Sequence, residues 1–291
     1  MRNLKIGIPQ GSLQDATVRL FGKAGYQILI SSRSHNIVFD DNEQLEGMLL
    51  RPQEMALYVE KGVLDIGLAG KDWVIECGAD VRIVTELAYS RASNQRARWV
   101  LAVSEDSDIR SVKDLQGKVV YTELVQTTKQ WLEKRGVQAD VRFSYGATEA
   151  KIPHLCEAIV EITETGTSLR ANKLRIVEEM METSTVLVAN HETWKDDWKR
   201  EEAENLLMLL HGALAAESKV GLKLNTPKAR LDDVLAVLPA MKKPTISPLT
   251  DPEWVALETI VDERLIRDLF PELIRVGAQD LIEFSLNKVI Q

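Results

Sequence analysis

The sequence predicts an α/β fold that ends in a second, smaller unit. Short apolar runs typical of buried strands alternate along the chain with segments whose apolar residues share one helical face, as in a sheet covered by helices. From residue 216 onward the predicted order becomes β-α-β-β-α-β, which is the order of a ferredoxin-like unit.

Size and charge limit the possible functions. The chain has 291 residues, of which 45% are hydrophobic and 27% charged, enough for two or three domains with an ample core. A formal net charge of −8 argues against general nucleic-acid binding, which needs a basic face. Neither a signal peptide nor a run of about 18 apolar residues is present, so we expect a cytoplasmic protein without membrane contact. Cys77 and Cys156 give no disulfide framework or zinc spacing and are expected to be buried.

The first predicted strand, Leu4 to Pro9, leads through a short loop into a helix. Ser12, with Asp15 three residues later, predicts a capped helix that ends at Gly25. The loop at Gly11 and Ser12 therefore follows the carboxyl end of a strand, where open α/β sheets bind ligands. We expect any phosphate contact there to come from backbone and hydroxyl groups, because the loop itself contains no cation.

The next informative block is RPQEMALYVEKGVLDIGLAGKDWVIE, residues 51–76. It predicts a helix, a tight glycine turn, a short strand and a loop into a further helix. Arg51 and Asp72 are the charged residues expected to reach a ligand cleft. The alternatives are a simple helix-end charge for Arg51 and an N-cap of the helix at Trp73 for Asp72.

A polar, basic crossover follows the strand predicted from Val81 to Leu87, and we place the first domain boundary near residue 90. Arg91, Arg96 and Arg98 concentrate positive charge there. Such a cluster is usually solvated surface, but a cleft that binds polyphosphates needs guanidinium groups for bidentate contacts. Arg98, at the start of the next strand, is the favoured candidate.

The stretch from residue 146 to 174 carries the strongest signal. An apolar strand, Ala158 to Ile162, ends in a hydroxyl-rich turn that leads into a helical turn. Backbone N–H groups at such a bend lack intrahelical partners and Gly166 allows close approach, so the bend suits an anion. Glu157 and Glu161 suit the hydroxyls of a sugar, and together these features predict a ribose 5-phosphate site. The alternative is an ordinary capped turn with solvated glutamates.

The C-terminal part has its own pattern. Val220, Leu222 and Leu224 alternate with polar or small residues as in a half-buried strand, and Thr226–Pro227 predicts a helix start. Asp262 is expected to cap a second helix, in which Pro271 must cause a kink or a break.

Three separated blocks, residues 51–76, 161–169 and 224–249, resemble ATP phosphoribosyltransferase in its long form, the first enzyme of histidine biosynthesis. The second block is similar to the signature of that family, an acidic strand followed by T-G-x-[TS]-L. Many members have Asp where this chain has Glu157 and Glu161, which keeps the charge and lengthens the side chain by one methylene.

The resemblance implies a two-lobed catalytic region like that of periplasmic binding proteins, followed by an ACT-like domain that senses histidine. Lobe I would comprise residues 1–90 and 184–215, lobe II residues 91–183, and the regulatory domain residues 216–291. The implied reaction joins N1 of ATP to C1 of 5-phosphoribosyl 1-diphosphate, with Mg²⁺ on the departing diphosphate. Feedback inhibition by L-histidine and a homo-hexamer built from dimers are further expectations of the family.

Residue roles follow from the positions that match the family. Glu161 and Arg98 are expected to be catalytic. The residues expected to bind phosphoribosyl diphosphate are Glu157, Thr165, Gly166, Thr167, Ser168 and Leu169. Those expected to bind ATP and phosphates are Gly11, Ser12, Arg51, Asp72, Glu123 and Glu149. The histidine effector is expected at Asn225, Thr245 and Ser247, and no residue is assigned to the metal.

Two other functions are compatible with parts of the pattern. A non-catalytic solute-binding protein also has two α/β lobes around a cleft. A purine or pyrimidine phosphoribosyltransferase would have two adjacent acids before the turn, whereas here Val160 precedes Glu161. The C-terminal domain could also serve only to join subunits.

Overall fold

The computed structural model describes residues 2–30, 35–40, 44–87, 89, 96–239 and 243–290. In chain order the strands are β1 (Leu4–Pro9), β2 (Ile28–Ile30), β3 (Asn36–Phe39), β4 (Leu45–Leu50), β5 (Ile66–Gly70), β6 (Arg82–Leu87), β7 (Ala97–Ser104), β8 (Val119–Thr122), β9 (Asp140–Phe143), β10 (Ala158–Thr163), β11 (Leu174–Thr183), β12 (Thr185–Ala189), β13 (Lys219–Pro227), β14 (Thr245–Pro248), β15 (Trp254–Asp262) and β16 (Gln279–Ser285).

The α-helices connect these strands. They are α1 (Gln14–Ala24), α2 (Pro52–Glu60), α3 (Lys71–Cys77), α4 (Val125–Glu133), α5 (Thr167–Ala171), α6 (His191–Lys195), α7 (Asp197–Ala216), α8 (Leu231–Val237) and α9 (Ile266–Arg275). Short 3₁₀ turns occur at Val112–Leu115, Thr148–Lys151, Lys228–Arg230 and Glu263–Leu265. No helix in the described ranges is long and apolar enough to cross a membrane.

The first sheet has the strand order β2-β3-β4-β1-β5-β12-β6. β1 runs parallel to β4 and β5, while β12 is antiparallel to β5 and β6. A buried cluster that includes Met55, Val59 and Val186 joins α2 to this sheet. The packing fixes the start of α2, and with it Arg51, next to the end of β1.

The second sheet has the order β11-β7-β10-β8-β9. β10 is parallel to β8 and antiparallel to β7, so β10 is a central strand and its end is positioned from both sides. Trp99, Leu101 and Val160 belong to the large buried cluster of this sheet. The chain passes from β11 of the second sheet to β12 of the first through Ser184.

The third sheet, β14-β15-β13-β16, is antiparallel throughout. Leu222, Leu257 and residues of α8 and α9 such as Val234 and Leu273 form its core, so the helices cover one face. This is the predicted β-α-β-β-α-β order, and the α/β fold class is confirmed. The first two sheets lie in one compact unit, residues 1–22 and 26–204, and the third lies in another, residues 23–25 and 205–291. The finer division at residues 90, 183 and 215 stays a prediction.

Three local predictions differ from the structure in part, and three strands were missed. The helix predicted to start at Thr226–Pro227 begins one residue later, because β13 pairs with β15 as far as Pro227 and a 3₁₀ turn from Lys228 then leads into α8. Asp262 makes no capping hydrogen bond; it accepts one from Lys219 Nζ at 2.9 Å across the paired strands. Helix α9 continues through Pro271, so the break is excluded and the kink stays a prediction. The strands β2, β3 and β4 were not predicted at all, and apolar residues on them, Leu29 and Val38 among them, are exposed.

Candidate active site

The ends of strands from the first two sheets surround a cleft with a volume of about 740 Å³. Six of the predicted substrate residues line it: Gly11, Ser12, Arg51, Asp72, Glu123 and Glu161. Arg51 and Ser12 are exposed, whereas Asp72 is only 3% exposed and the two glutamates are partly buried. The structure therefore brings residues from five separate stretches of sequence to one place.

Asp72 lies at the first turn of α3 and is fixed from three directions. Its carboxylate accepts a hydrogen bond from Trp99 Nε1 at 2.7 Å and one from the backbone N–H of Trp73 at 3.0 Å. Its own backbone N–H donates to Thr183 Oγ1 at 3.2 Å. Asp72 does not cap α3, as the alternative interpretation held, because the N-cap is Gly70. A side chain at Gly70 would place Cβ 2.2 Å from Asp72 Oδ1, so glycine is required there.

Burial has a clear electrostatic effect on Asp72. Loss of solvation raises the pKa of its carboxyl group, and the hydrogen bonds from Trp99 and Trp73 oppose that rise only in part. Burial therefore destabilises the ionised form of Asp72, and the hydrogen bonds from Trp99 and Trp73 reduce that destabilisation.

The carboxylates of Asp72, Glu123 and Glu161 line the cleft, and Glu149 interacts with Glu161 from outside the lining. Burial raises the pKa of Glu161, the Thr148 hydroxyl lowers it, and the charges of Glu149 and Glu123 raise it further. Glu149 accepts a hydrogen bond from Ser168 Oγ at 2.5 Å. Burial and the charge of Asp72 raise the pKa of Glu123. The cleft is thus acidic along its middle.

The bend after β10 has the predicted strand-turn-helix form. Gly166 adopts φ 73°, a left-handed conformation that favours glycine, and its N–H donates to Thr163 Oγ1 at 2.8 Å. Thr165 Oγ1 and Thr167 Oγ1 lie 2.8 Å apart. Leu169 is buried in the core and anchors α5, so its side chain does not face a ligand. Thr163 and Glu164, directly before the bend, line the cleft.

Arg170, the positively charged residue at this bend, was not predicted from the sequence. Arg170 donates from Nη1 to the carbonyl oxygen of Thr165 at 3.0 Å and from Nη2 to Thr167 Oγ1 at 3.2 Å. The sequence did indicate this contact, because the side chain of an arginine three or four residues after a helix start can reach back to the first turn. The cleft is also lined by the hydroxyl-rich crossover between β11 and β12, which was not predicted: Thr183, Ser184 and Thr185.

The arginines of the crossover are placed differently from one another. Arg91 lies outside the described residues. Arg96 bonds Glu86 at 3.0 Å and Glu182 at 3.2 Å. Arg98 pairs in register with Thr163 on β10, and its Nη1 lies 3.2 Å from Glu179 Oε2. Arg98 is therefore next to the cleft but outside its lining.

Glu157 is not brought to the cleft. It precedes β10 at the opposite end from the bend, where its Oε2 accepts a hydrogen bond from the backbone N–H of Val119 at 3.0 Å. It is exposed there.

The predicted effector residues share one face of the third sheet. Ser247 and Asn225 both pair with Ala256, from opposite sides of β15, and Thr245 lies two residues from Ser247 on the same side of β14. Asn225 Nδ2 donates to Asp280 Oδ2 at 2.9 Å. The face is the one that α8 and α9 leave uncovered, since the buried cluster contains Leu224 and Leu257, which point the other way.

Comparisons with known proteins agree along nearly the whole chain. Residues 51–212 match the family model described as ATP phosphoribosyltransferase, and residues 216–288 match the model described as HisG, C-terminal domain. The ATP phosphoribosyltransferase of Chlorobium chlorochromatii is 56% identical over 287 residues, which are 99% of this chain and 97% of that protein. The ATP phosphoribosyltransferase of Desulforudis audaxviator is 55% identical over 287 residues, 99% of each chain.

A solved structure is similar in fold. A chain of the ATP phosphoribosyl transferase complex from Thermotoga maritima superposes with a TM-score of 0.61 at 24% identity, over 72% of this chain and 98% of that one. At this identity the likeness concerns the fold alone.

Proposed function

This chain belongs to the ATP phosphoribosyltransferase family of histidine biosynthesis, and on that premise we propose that its reaction takes place in the cleft lined by Asp72, Glu123 and Glu161. The observation that carries the proposal is the meeting of six predicted substrate residues in one cleft directly beside the bend after β10. Family membership sets aside the solute-binding protein and the purine or pyrimidine phosphoribosyltransferase.

The reaction forms a bond between N1 of adenine and C1 of the ribose while the bond from C1 to the diphosphate oxygen breaks. An oxocarbenium-like transition state asks little covalent chemistry of side chains. Holding the two substrates in line and stabilising the charges that develop supplies most of the rate enhancement. The cleft residues are therefore binding and electrostatic groups.

The bend from Thr165 to Leu169 binds the 5-phosphate. The backbone N–H groups of the first turn of α5 have no intrahelical acceptors, and the two threonine hydroxyls and the Arg170 guanidinium add donors. Gly166 keeps this concave side clear of a side chain. Since Glu161 precedes the bend by four residues and lines the cleft, its carboxylate accepts hydrogen bonds from the ribose hydroxyls.

Mg²⁺ accompanies the diphosphate. Among the described residues no group of three His, Cys, Asp or Glu side chains is arranged to hold a metal ion. Mg²⁺ commonly keeps several waters and binds through substrate phosphates, where it neutralises the charge of a leaving diphosphate. The carboxylate oxygens that line the cleft are of the ligand type that suits Mg²⁺, and they fit an ion that arrives bound to its substrate.

Regulation and assembly follow the family. L-Histidine is the feedback inhibitor and binds the uncovered face of the third sheet at Asn225, Thr245 and Ser247. The chain assembles from dimers into a homo-hexamer, for which sedimentation equilibrium should give six times the 32.7 kDa chain mass. The proposed location is the cytoplasm, which cell fractionation tests.

The role of Glu161 is tested by the substitution Glu161→Gln, which keeps the shape and removes the charge. We expect KM for phosphoribosyl diphosphate to rise about tenfold and kcat for diphosphate release to fall, because charged acceptors contribute about 1.5–3 kcal/mol to a hydrogen bond. Glu133→Gln, an exposed position at the end of α4, is the control. Unchanged kinetics of Glu161→Gln beside an active wild type would contradict the assignment.

A further inference from the structure

The carboxylate of Glu123 differs from the other acids of the cleft. Asp72 receives hydrogen bonds from Trp99 and Trp73, and Glu161 receives them from Thr148 and Ile162. Within the described ranges, no donor is hydrogen-bonded to the carboxylate of Glu123. A partly buried carboxylate that lines a cleft and keeps its acceptor positions open is available to a ligand.

The surrounding charges define what that ligand can be. Asp72 on α3 and Glu161 on β10 are the acids that interact with Glu123, and Lys151, in the turn Thr148–Lys151, is its cation. Lys151 Nζ also donates to the carbonyl oxygen of Gly146 at 2.6 Å. Carboxylates repel phosphates that no cation screens, so the position of Glu123 between Asp72 and Glu161 suits the sugar and the base of the substrates better than their phosphates.

The transfer passes through an oxocarbenium-like ribose and leaves a positive charge on the adenine of the product. When the N1 lone pair forms the bond to C1, the electron pair of the broken bond leaves with the diphosphate. N1 of adenine carries no proton that it could lose, so the positive charge spreads over N1, C6 and the 6-amino group. ATP before the reaction has no such charge on its base.

Resting on the function proposed above, we infer that the Glu123 carboxylate faces the adenine edge and stabilises the positive charge formed there, accepting a hydrogen bond from the 6-amino group. The group is catalytic in the sense that it acts more strongly on the transition state and product than on bound ATP. No proton transfer is required.

Equilibrium binding tests this assignment without turnover. N1-methyl-ATP carries a fixed positive charge on its adenine, and ATP is the neutral-base comparison. The wild type should bind N1-methyl-ATP more tightly relative to ATP than the Glu123→Gln variant does, by about tenfold to a hundredfold, as expected for loss of a charge-assisted contact. Glu133→Gln should retain the wild-type ratio. Equal weakening of both nucleotides by Glu123→Gln would overturn the inference, since a purely structural role does not discriminate between them.

Single-turnover kinetics for the rate, together with steady-state kinetics for the KM values, give the second readout. Glu123→Gln should lower the rate of diphosphate release about 10²–10³-fold, with KM values changed far less. Thermal unfolding of the variant at the wild-type temperature shows that the fold is kept. If the wild type released diphosphate and Glu123→Gln matched it, this inference would be wrong while the proposed function stood. A wild type that released none would contradict the proposed function itself.

Discussion

At the scale of single residues, Asp72 shows how one side chain connects separate parts of the chain. It lies on α3 beside the first sheet, its carboxylate binds Trp99 on β7, and its N–H binds Thr183 at the end of β11. The sequence predicted that Asp72 reaches a cleft, but not its partners. Trp99 and Thr183 are 27 and 111 residues away, and no local pattern encodes such contacts.

The buried charge of Asp72 predicts a pH-dependent stability. Because folding raises the pKa of the Asp72 carboxyl above its ordinary value of 3.8, the folded protein holds the proton more tightly than the unfolded chain does. The contribution to stability is therefore complete at low pH and is lost as pH rises through the folded pKa. Relative to Asp72→Asn, the wild type should lose unfolding free energy as the pH rises from about 4 until it passes the raised pKa of the folded state, by about 1.4 kcal/mol for each unit by which that pKa is raised.

Urea unfolding of the wild type and of Asp72→Asn across that pH range measures the difference between their unfolding free energies. The test is how this difference changes with pH, not its absolute size. Parallel curves for the wild type and Asp72→Asn would show that Asp72 does not titrate in this way.

At the scale of elements, the bend after β10 was predictable because its determinants are local. A glycine with φ 73°, flanking hydroxyls and an apolar strand all lie within a dozen residues. The failures are elements whose limits depend on distant partners. Strand β13 extends to Pro227 because β15 pairs with it, which moves the helix start predicted at Thr226–Pro227 to Lys228.

The third sheet carries the element-scale prediction. Asn225→Ala removes a polar side chain from the uncovered face where we propose that L-histidine binds, and should weaken its binding about fivefold to tenfold, as for one hydrogen bond lost. Calorimetric titration of the full chain with L-histidine measures this, with Asn205→Ala on the exposed side of α7 as the control. Identical titrations of Asn225→Ala and wild type would exclude Asn225 from the effector site.

At the scale of the whole molecule, the fold class followed from the alternation of strands and helices, and the C-terminal order from its own pattern. Which side chains meet in the cleft could be predicted only partly. Gly11 and Arg51 each follow a strand, Asp72 lies in the first turn of a helix, and Glu161 lies near the carboxyl end of β10, so strand ends and helix starts were a sound guide. Glu157 lies at the wrong end of the same strand as Glu161, a difference of one strand length that residue type does not reveal.

The central claim is that the bend from Thr165 to Leu169 holds the 5-phosphate, and the substitution Gly166→Val tests it most directly. Its Cβ would lie 3.0 Å from Arg170 Nη1, the mobile end of a side chain, and on the side proposed for the phosphate. Gly136→Val is a matched control, because Gly136 has φ 70° and nothing within 4 Å of the added Cβ, so both variants carry similar backbone strain.

Calorimetric titration with phosphoribosyl diphosphate and Mg²⁺ is the decisive measurement. We expect Gly166→Val to weaken binding about tenfold to a hundredfold, and Gly136→Val to bind like the wild type. A folded Gly166→Val variant with wild-type affinity would contradict it.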